Sequence, residues 1–380
     1  MSTPELVTAD LLMTGRRCLL DAGVEFDRGV VTAVHGRETD LPLGLAELAR
    51  LGSGGEARIL LPGFIDLQVN GLGPVDVPSA ARSGDDEAWV AIGSSLAAGG
   101  VTSWMPTVVT RPLSDYEPLL DNVSAVAASS PGGPAIVGVH LEGPFLGNRP
   151  GAHPREWLRP VDPAFLRDLP PVVRLMTLAP EAEGAPEGAT ILAERGITVS
   201  IGHSAPTRAQ FDDVRSAGAT MVTHLFNAMS GIHHRRGGLA LWALNDPDLA
   251  VCVIADGHHV SPDVVRLVRS TRPDGGMVVV SDSVAHLNRG LVGGGDGSPA
   301  RLPDGTLAGS TVRMSGCLGV LMATGADLRE GVRASATEPA LAVGLSDRGS
   351  LEPGFRADMV LVGPELEPRK VWSAGRAIHG

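Results

Sequence analysis

Residues 197–224 read ITVSIGHSAPTRAQFDDVRSAGATMVTH. The apolar, β-branched run Ile197–His203 stops at a histidine, the helix-compatible stretch Arg208–Ala217 follows, and a second apolar run, Thr220–His224, stops at another histidine. Continuous apolar strands, rather than alternating ones, describe parallel strands buried on both faces. The same reading extends outward. Further strand candidates are Arg58–Asp66, Val101–Val109, Ala135–Glu142, Val173–Leu178, Leu249–Asp256 and Met277–Asp282. Helix-compatible stretches lie between them at Asp85–Ala98, Leu113–Ala128 and Asp263–Ser270. Eight strand–helix units predict an α/β fold of the (β/α)8 TIM-barrel type, although doubly wound sheets alternate in the same way.

The C-terminal ends of these strands carry Asp66, Glu142, His203, His224, Asp256 and Asp282. In barrels that face holds the active site. One polar strand end is explained by a helix cap; several of compatible chemistry point to a hydrolytic metal site. Glu142, His203 and His224 make a carboxylate and two imidazoles, which suit one borderline divalent ion per chain. Zn²⁺ is the expected ion, with Fe²⁺, Mn²⁺ and Co²⁺ as alternatives. Three protein ligands leave a position for water, and Asp282 is then the natural general base. His259 is placed to donate to a developing oxyanion, with His258 competing by composition alone. Asn227 and Ala228 follow His224 closely and are candidate substrate contacts. His233-His234-Arg235-Arg236 is the densest cationic patch, either an anion contact or a solvated basic loop.

The bulk numbers exclude several classes. Lys plus Arg total 31 against 43 Asp plus Glu, a formal charge of −12, which argues against a nucleic-acid binder. No apolar run is long enough to span a bilayer, and MSTPELVTAD lacks the pattern of a signal peptide. Cys18, Cys252 and Cys317 form no knuckle and no closed disulfide set, which fits a reducing cytoplasm. Lys370 is the only lysine. A P-loop, a Schiff-base lysine in the central region and a carboxylated lysine bridging two metals are therefore ruled out.

The 380 residues allow one large domain and a small one, and 43% hydrophobic residues supply a sizeable core. Thr8–Thr14 and Gly23–Val34 read as short strands, as do Ala357–Val362 and Lys370–Ile378. Residues 1–57 and 348–380 are thus expected to form a small discontinuous β-domain, with the barrel at 58–347. Gly344–Gly354 is turn-rich and suits the crossing. Gly290–Gly305 is too Gly-rich for regular structure and reads as a mobile lid or a surface loop.

At this point the motifs match a known family. The chain resembles the N-acetylglucosamine-6-phosphate deacetylases of the amidohydrolase superfamily. The resemblance rests on PGFIDLQVNG (62–71), GVHLEGPF (138–145), GAH (151–153), GHS (202–204), THLFNAM (223–229), IADGHHV (254–260), SD (281–282) and DGTLAGS (304–310). It implies a metal-dependent (β/α)8 barrel with a small β-sandwich, as a homodimer. It implies Glu142, His203 and His224 as metal ligands, Asp282 as catalytic acid/base and His259 near the scissile carbonyl. It implies sugar contacts from Ala152, His153, Asn227, Ala228, Asp256, Leu307, Ala308 and Gly309, and a phosphate contact from Arg235. Many amidohydrolases end the first strand in His-x-His; here Gln68-Val69-Asn70 stands there, which predicts a single essential metal. Arg235-Arg236-Gly237-Gly238 departs from the family's Arg-Glu-Pro-Gly, and Gly73-Pro74 stands where Gly-Gly is usual.

The leading expectation is hydrolysis of N-acetyl-D-glucosamine 6-phosphate to D-glucosamine 6-phosphate and acetate. A paralogue acting on another N-acyl amino sugar is the alternative, and a catalytically silent sugar-phosphate binder is a third reading. A cyclic amide hydrolase fits poorly without His-x-His and a barrel lysine.

Overall fold

The computed structural model describes residues 4–40, 43–51, 57–84, 86–129, 132–285, 290–294 and 298–380. Its centre is a ring of eight parallel strands. These are β1 (Phe64–Val69), β2 (Val101–Val109), β3 (Val139–Glu142), β4 (Val173–Leu178), β5 (Thr198–Ile201), β6 (Ala219–Val222), β7 (Ala250–Ile254) and β8 (Met277–Val280). They pair in sequence order, and a bridge between Val69 and Ser283 brings the end of β8 back to β1. Helices such as Asp86–Ala97, Tyr116–Ser129, Arg208–Ser216 and Pro262–Ser270 run between the strands, close to the expected stretches. Residue 85, the expected start of the first, lies outside the described residues.

Ile65, Leu67, Met105, Leu175, Met221, Cys252, Ile254, Val278 and Val280 form one buried cluster drawn from six strands of the ring. Strands that far apart around a ring meet only across its interior, so this is the barrel core. Ala340 and Val343 pack against its floor. Phe64, Trp104, Val139 and Val251 belong to the outer cluster shared with the helices. Both faces of each strand are therefore buried, as the unbroken apolar runs require.

The expected strand Arg58–Asp66 is two strands in two sheets. Ile59–Pro62 pairs antiparallel with Met359–Val362 in a terminal sheet, and β1 begins after Gly63. The chain passes so close to β2 there that a Cβ on Gly63 would collide with Thr102, so the switch needs glycine. The terminal sheet has seven strands, from both ends of the chain, in the order Arg376–His379, Pro368–Ser373, Met359–Val362, Ile59–Pro62, Glu5–Met13, Cys18–Asp27, Val30–Glu38. It thus reaches past the expected boundary at residue 57. Its residues alternate between two cores: Leu11, Ile59, Leu61 and Val360 face the barrel's helical layer, whereas Leu12, Leu60, Met359 and Leu361 face a separate cluster with Phe26 and Trp372.

Gly290–Gly305 contains more order than its glycines suggest. Ala300–Arg301 pairs antiparallel with Leu307–Gly309, and Val292 bridges Arg301. Residues 295–297 of this segment lie outside the described residues.

Candidate active site

Glu142 is the last residue of β3, while His203, His224 and Asp282 each stand two residues beyond the ends of β5, β6 and β8. Those three residues adopt left-handed backbone angles, with φ of 49°, 27° and 47°. Phe226 and Ala228 share this conformation, so five of the nine such non-glycine residues described cluster at the barrel mouth. A β-carbon makes this conformation costly, about 1–2 kcal/mol per residue. Packing at the mouth holds it, which turns each side chain inward from where the strand alone would aim it.

The turn produces a tight cluster. Glu142 Oε1 lies 3.1 Å from His203 Nε2 and 3.0 Å from His224 Nε2, and the two Nε2 atoms are 3.1 Å apart. All three side chains are buried. His203 Nδ1 faces the carbonyl oxygens of Pro150 at 3.1 Å and Arg149 at 3.3 Å. Carbonyls only accept, so Nδ1 carries the proton and the neutral ring points a lone pair at Glu142. Burial, aided by His153, pushes His203 down to about 4, which keeps it neutral at pH 7. Two lone pairs then oppose each other at hydrogen-bond distance, an arrangement a cation between them satisfies. The donor set of one carboxylate and two imidazoles fits a borderline divalent ion.

His153 extends the cluster. Its Nε2 is 3.7 Å from Glu142 Oε2, and Glu142, His153 and His203 bring their donor atoms within 4.8 Å of one another. Expected as a sugar contact, His153 is thus also a neighbour of the ligand set. Burial would raise Glu142, but contacts from His153, His203 and His224 together outweigh it and hold its carboxyl well below the usual range. For His224 burial works downward, and its contact with Glu142 prevails to raise it. Among the described residues, His224 Nδ1 is buried without a partner.

Gln68 and Asn70, the amides that stand at the His-x-His position, each bind a carboxylate. Gln68 Nε2 donates to Glu142 Oε1 at 2.9 Å, and Asn70 Nδ2 donates to Asp282 Oδ1 at 2.7 Å. Each amide orients a carboxylate of the cluster. Burial first, and then the charge of Glu142, raise Asp282 well above the usual carboxylate range.

Asp256 closes β7 but does not line the cavity; it holds His259. Its Oδ2 meets His259 Nδ1 at 2.7 Å, and its Oδ1 accepts the backbone N–H groups of His258 and His259. Burial opposes ionisation of Asp256, yet its bonds to His259 hold it far below the usual range. The carboxylate thus fixes the orientation of the His259 ring at the cavity wall. Asp66, expected at a strand end, lies inside β1 and is not part of the site. It borders a small pocket behind the barrel with Leu96, Val312 and Met314, accepts from Ser281 N and Gln68 N, and has one buried oxygen without a partner.

These groups open into a cavity of about 600 Å³. Ala152, His153, Asn227, Ala228, His259, Leu307, Ala308 and Gly309 all line it, together with Glu142, His203, His224 and Asp282. Arg235 does not. It is exposed on a loop closed by a bridge between His233 and Gly237, and its N–H is turned back to His233 Nδ1. The sequence reading missed the chain of buried hydroxyls on the strands: His140 Nε2 meets Thr177 Oγ1, which meets Thr223 Oγ1, which meets Ser200 Oγ. It also missed Arg301, a lining residue. The only signals were a histidine two residues before Glu142 and an arginine three residues before DGTLAGS.

The Amidohydrolase family profile matches residues 59–378. The chain belongs to the amidohydrolase family. Within it, this amidohydrolase is 35% identical over 345 residues to the human N-acetylglucosamine-6-phosphate deacetylase, covering 84% of this chain and 83% of that protein. It is 31% identical over 394 residues to N-acetylgalactosamine-6-phosphate deacetylase of Escherichia coli O157:H7, covering 98% of each. Among solved structures it superposes with a TM-score of 0.86 and 27% identity, over 100% of both chains, on an N-acetyl-D-glucosamine-6-phosphate deacetylase mutant from Mycobacterium smegmatis in complex with N-acetyl-D-glucosamine-6-phosphate. The barrel with its terminal sheet is thus the fold of this branch of the amidohydrolases.

Proposed function

We propose that this amidohydrolase hydrolyses the acetamide of N-acetyl-D-glucosamine 6-phosphate, giving D-glucosamine 6-phosphate and acetate. The observation that carries the reading is the convergence of Glu142, His203, His224 and Asp282 on one cavity, in a chain whose relatives are named for this reaction. Glu142, His203 and His224 would hold one divalent ion, with Zn²⁺ proposed and Fe²⁺, Mn²⁺ or Co²⁺ as alternatives. When bound, such an ion supplies Lewis acidity, which acidifies water and polarises a carbonyl.

The chain's own groups do the rest. Asp282, fixed by Asn70, accepts the proton of the attacking water and returns it to the leaving amine. Its elevated affinity for protons favours acceptance of the water's proton. His259, fixed by Asp256, donates to the oxygen that gains charge as the acetyl carbon becomes tetrahedral. His153, Asn227, Ala228, Ala152 and the Leu307–Gly309 backbone surround the sugar. Arg235, expected to meet the phosphate, stands outside the cavity of the single chain.

A homodimer in the cytoplasm belongs to the same proposal. Three buried free cysteines are compatible with a reducing compartment, and no helix among the described residues is long and apolar enough to cross a membrane. The test is acetate release from N-acetylglucosamine 6-phosphate, its galacto epimer and unphosphorylated N-acetylglucosamine, with metal content measured alongside. Preferred turnover of the gluco phosphate supports the proposal. Preference for the epimer would assign a paralogue, and absence of acetate from all three would leave a binder.

A further inference from the structure

His203 is aimed by a loop rather than by a strand. Its Nδ1 donates to the carbonyls of Pro150 and Arg149, at 3.1 and 3.3 Å, yet Asn148 and Arg149 are exposed. An exposed segment orients a buried ligand only when something fixes the segment. The same segment runs on into Ala152 and His153, which line the cavity.

Glu181 supplies the fixing. It stands just beyond the end of β4 and does not line the cavity. Its carboxylate accepts from both of the loops that flank His203. Oε1 accepts Ala205 N–H at 2.8 Å and Asn148 N–H at 3.3 Å, and Oε2 accepts the Ser204 hydroxyl. Hydrogen bonds to an ionised acceptor are roughly twice as strong as neutral ones. The two loops also meet directly, through Gly147 N–H and His203 O at 3.0 Å. A Cβ on Gly147 would collide with the Glu181 carboxylate, so this approach needs glycine. Ser204 is buried and passes the restraint on. Its N–H donates to Ala228 O and its carbonyl accepts Ser230 N–H, both at 3.0 Å. One carboxylate thus joins the 147–150 loop to the turn after β5 and, through Ser204, to the loop that follows His224.

We infer that Glu181 is a positioning residue: it fixes the carbonyls that orient His203 and so sets how tightly the Glu142–His203–His224 cluster takes its divalent ion. The inference rests on the reading of that cluster as the metal site.

The experiment titrates Co²⁺ into metal-stripped full-length protein against a chromophoric chelator and records the visible spectrum of the bound Co²⁺, which reports ligand geometry. Wild type is compared with Glu181→Ala, Glu181→Gln, Ser204→Ala and Asp327→Ala. Asp327 caps the helix Leu328–Val332, which contributes nothing to the cavity, and serves as a control for lost stability. Glu181→Ala should weaken Co²⁺ binding about 10–100-fold and alter the spectrum. Glu181→Gln should recover most of both, because the amide still accepts from Ala205 and bonds the Ser204 hydroxyl. Asp327→Ala should lower the melting temperature and leave Co²⁺ affinity unchanged. Wild-type affinity in Glu181→Ala, or an equal loss in Asp327→Ala, would overturn the inference. If Glu181→Ala does not fold, Ser204→Ala decides: it should shift affinity in the same direction by a smaller factor, and an unchanged affinity would overturn the inference. Acetate release enters none of these readouts, so failure of the deacetylase reading is separate. Should the wild type take up no Co²⁺, the metal reading fails, and amide hydrogen exchange still tests the clamp. Glu181→Ala or Ser204→Ala should then speed exchange at Gly147 and Ala205, and unchanged exchange would contradict it.

Discussion

Glu142, His203 and His224 sit on or just beyond barrel strands, buried and within 3.1 Å of one another, and Asp282 stands half-buried just beyond another strand. Arg235, Arg236 and Arg301 sit on loops and a short hairpin around the same mouth, all exposed. The strand-borne groups are aimed by a network that leaves them little freedom: Gln68 on Glu142, the Pro150 carbonyl on His203, Asn70 on Asp282. Arg301 is held by one backbone carbonyl. The difference separates chemistry from selectivity. Bond cleavage needs reacting groups placed to a fraction of an ångström, which strands provide. Recognition of a charged end tolerates more motion and is varied by loops without disturbing the centre.

The comparison is broken most severely at Asp282. Asp282→Asn should keep the metal and substrate binding and lower kcat by about 10²–10⁴-fold, since an amide cannot take the water's proton. Near-normal kcat would remove the strand ends from the chemistry and leave them as scaffold.

Asp66 is a buried carboxylate inside β1 that does not line the active-site cavity. Burial pushes its pKa from 3.8 up to about 6. Below about pH 4 both folded and unfolded chains hold this proton and the group is neutral in the balance. As pH rises from 4 to 6 the unfolded carboxyl ionises first, so this group lowers stability, and the full penalty persists above 6. Two units of difference correspond to about 3 kcal/mol. Asp66→Asn should remove that slope from denaturant unfolding measured between pH 4 and 7. A variant whose stability follows the same pH curve as the wild type would show that Asp66 is not the group responsible.

The smallest of these effects belongs to Asp256, which acts through another side chain. Asp256→Asn weakens the hydrogen bond that orients His259 and should lower kcat about 10–100-fold, with KM nearly unchanged. A change confined to KM would make His259 a sugar contact instead.

Much of this was legible beforehand, for physical reasons that differ by residue. Val101–Val109 and Val173–Leu178 were read with their observed bounds, because strands buried on both faces leave unbroken apolar runs. His203 and His224 were visible as polar stops to such runs. The break at Gly63 was not, because the contact that demands glycine comes from Thr102 on another strand. Asp66 looked equivalent to Asp282, yet β1 has an irregular register against β2 between Asp66 and Val69, and period-two counting fails across it. The left-handed backbone at His203, His224 and Asp282 leaves no mark in composition, since it is imposed by packing. Arg235 was expected at the phosphate through the resemblance, whereas its cationic neighbours alone fitted a solvated loop equally, and in the single chain it stands outside the cavity.

The central claim is one metal, held by Glu142, His203 and His224, serving one deacetylation. Its most direct test is to strip the protein with a chelator, return Zn²⁺ in measured amounts and follow acetate release from N-acetylglucosamine 6-phosphate. Activity should rise linearly and level off at one equivalent per chain. Acetate release that needs a second equivalent, or that persists unchanged in the stripped protein, would contradict it.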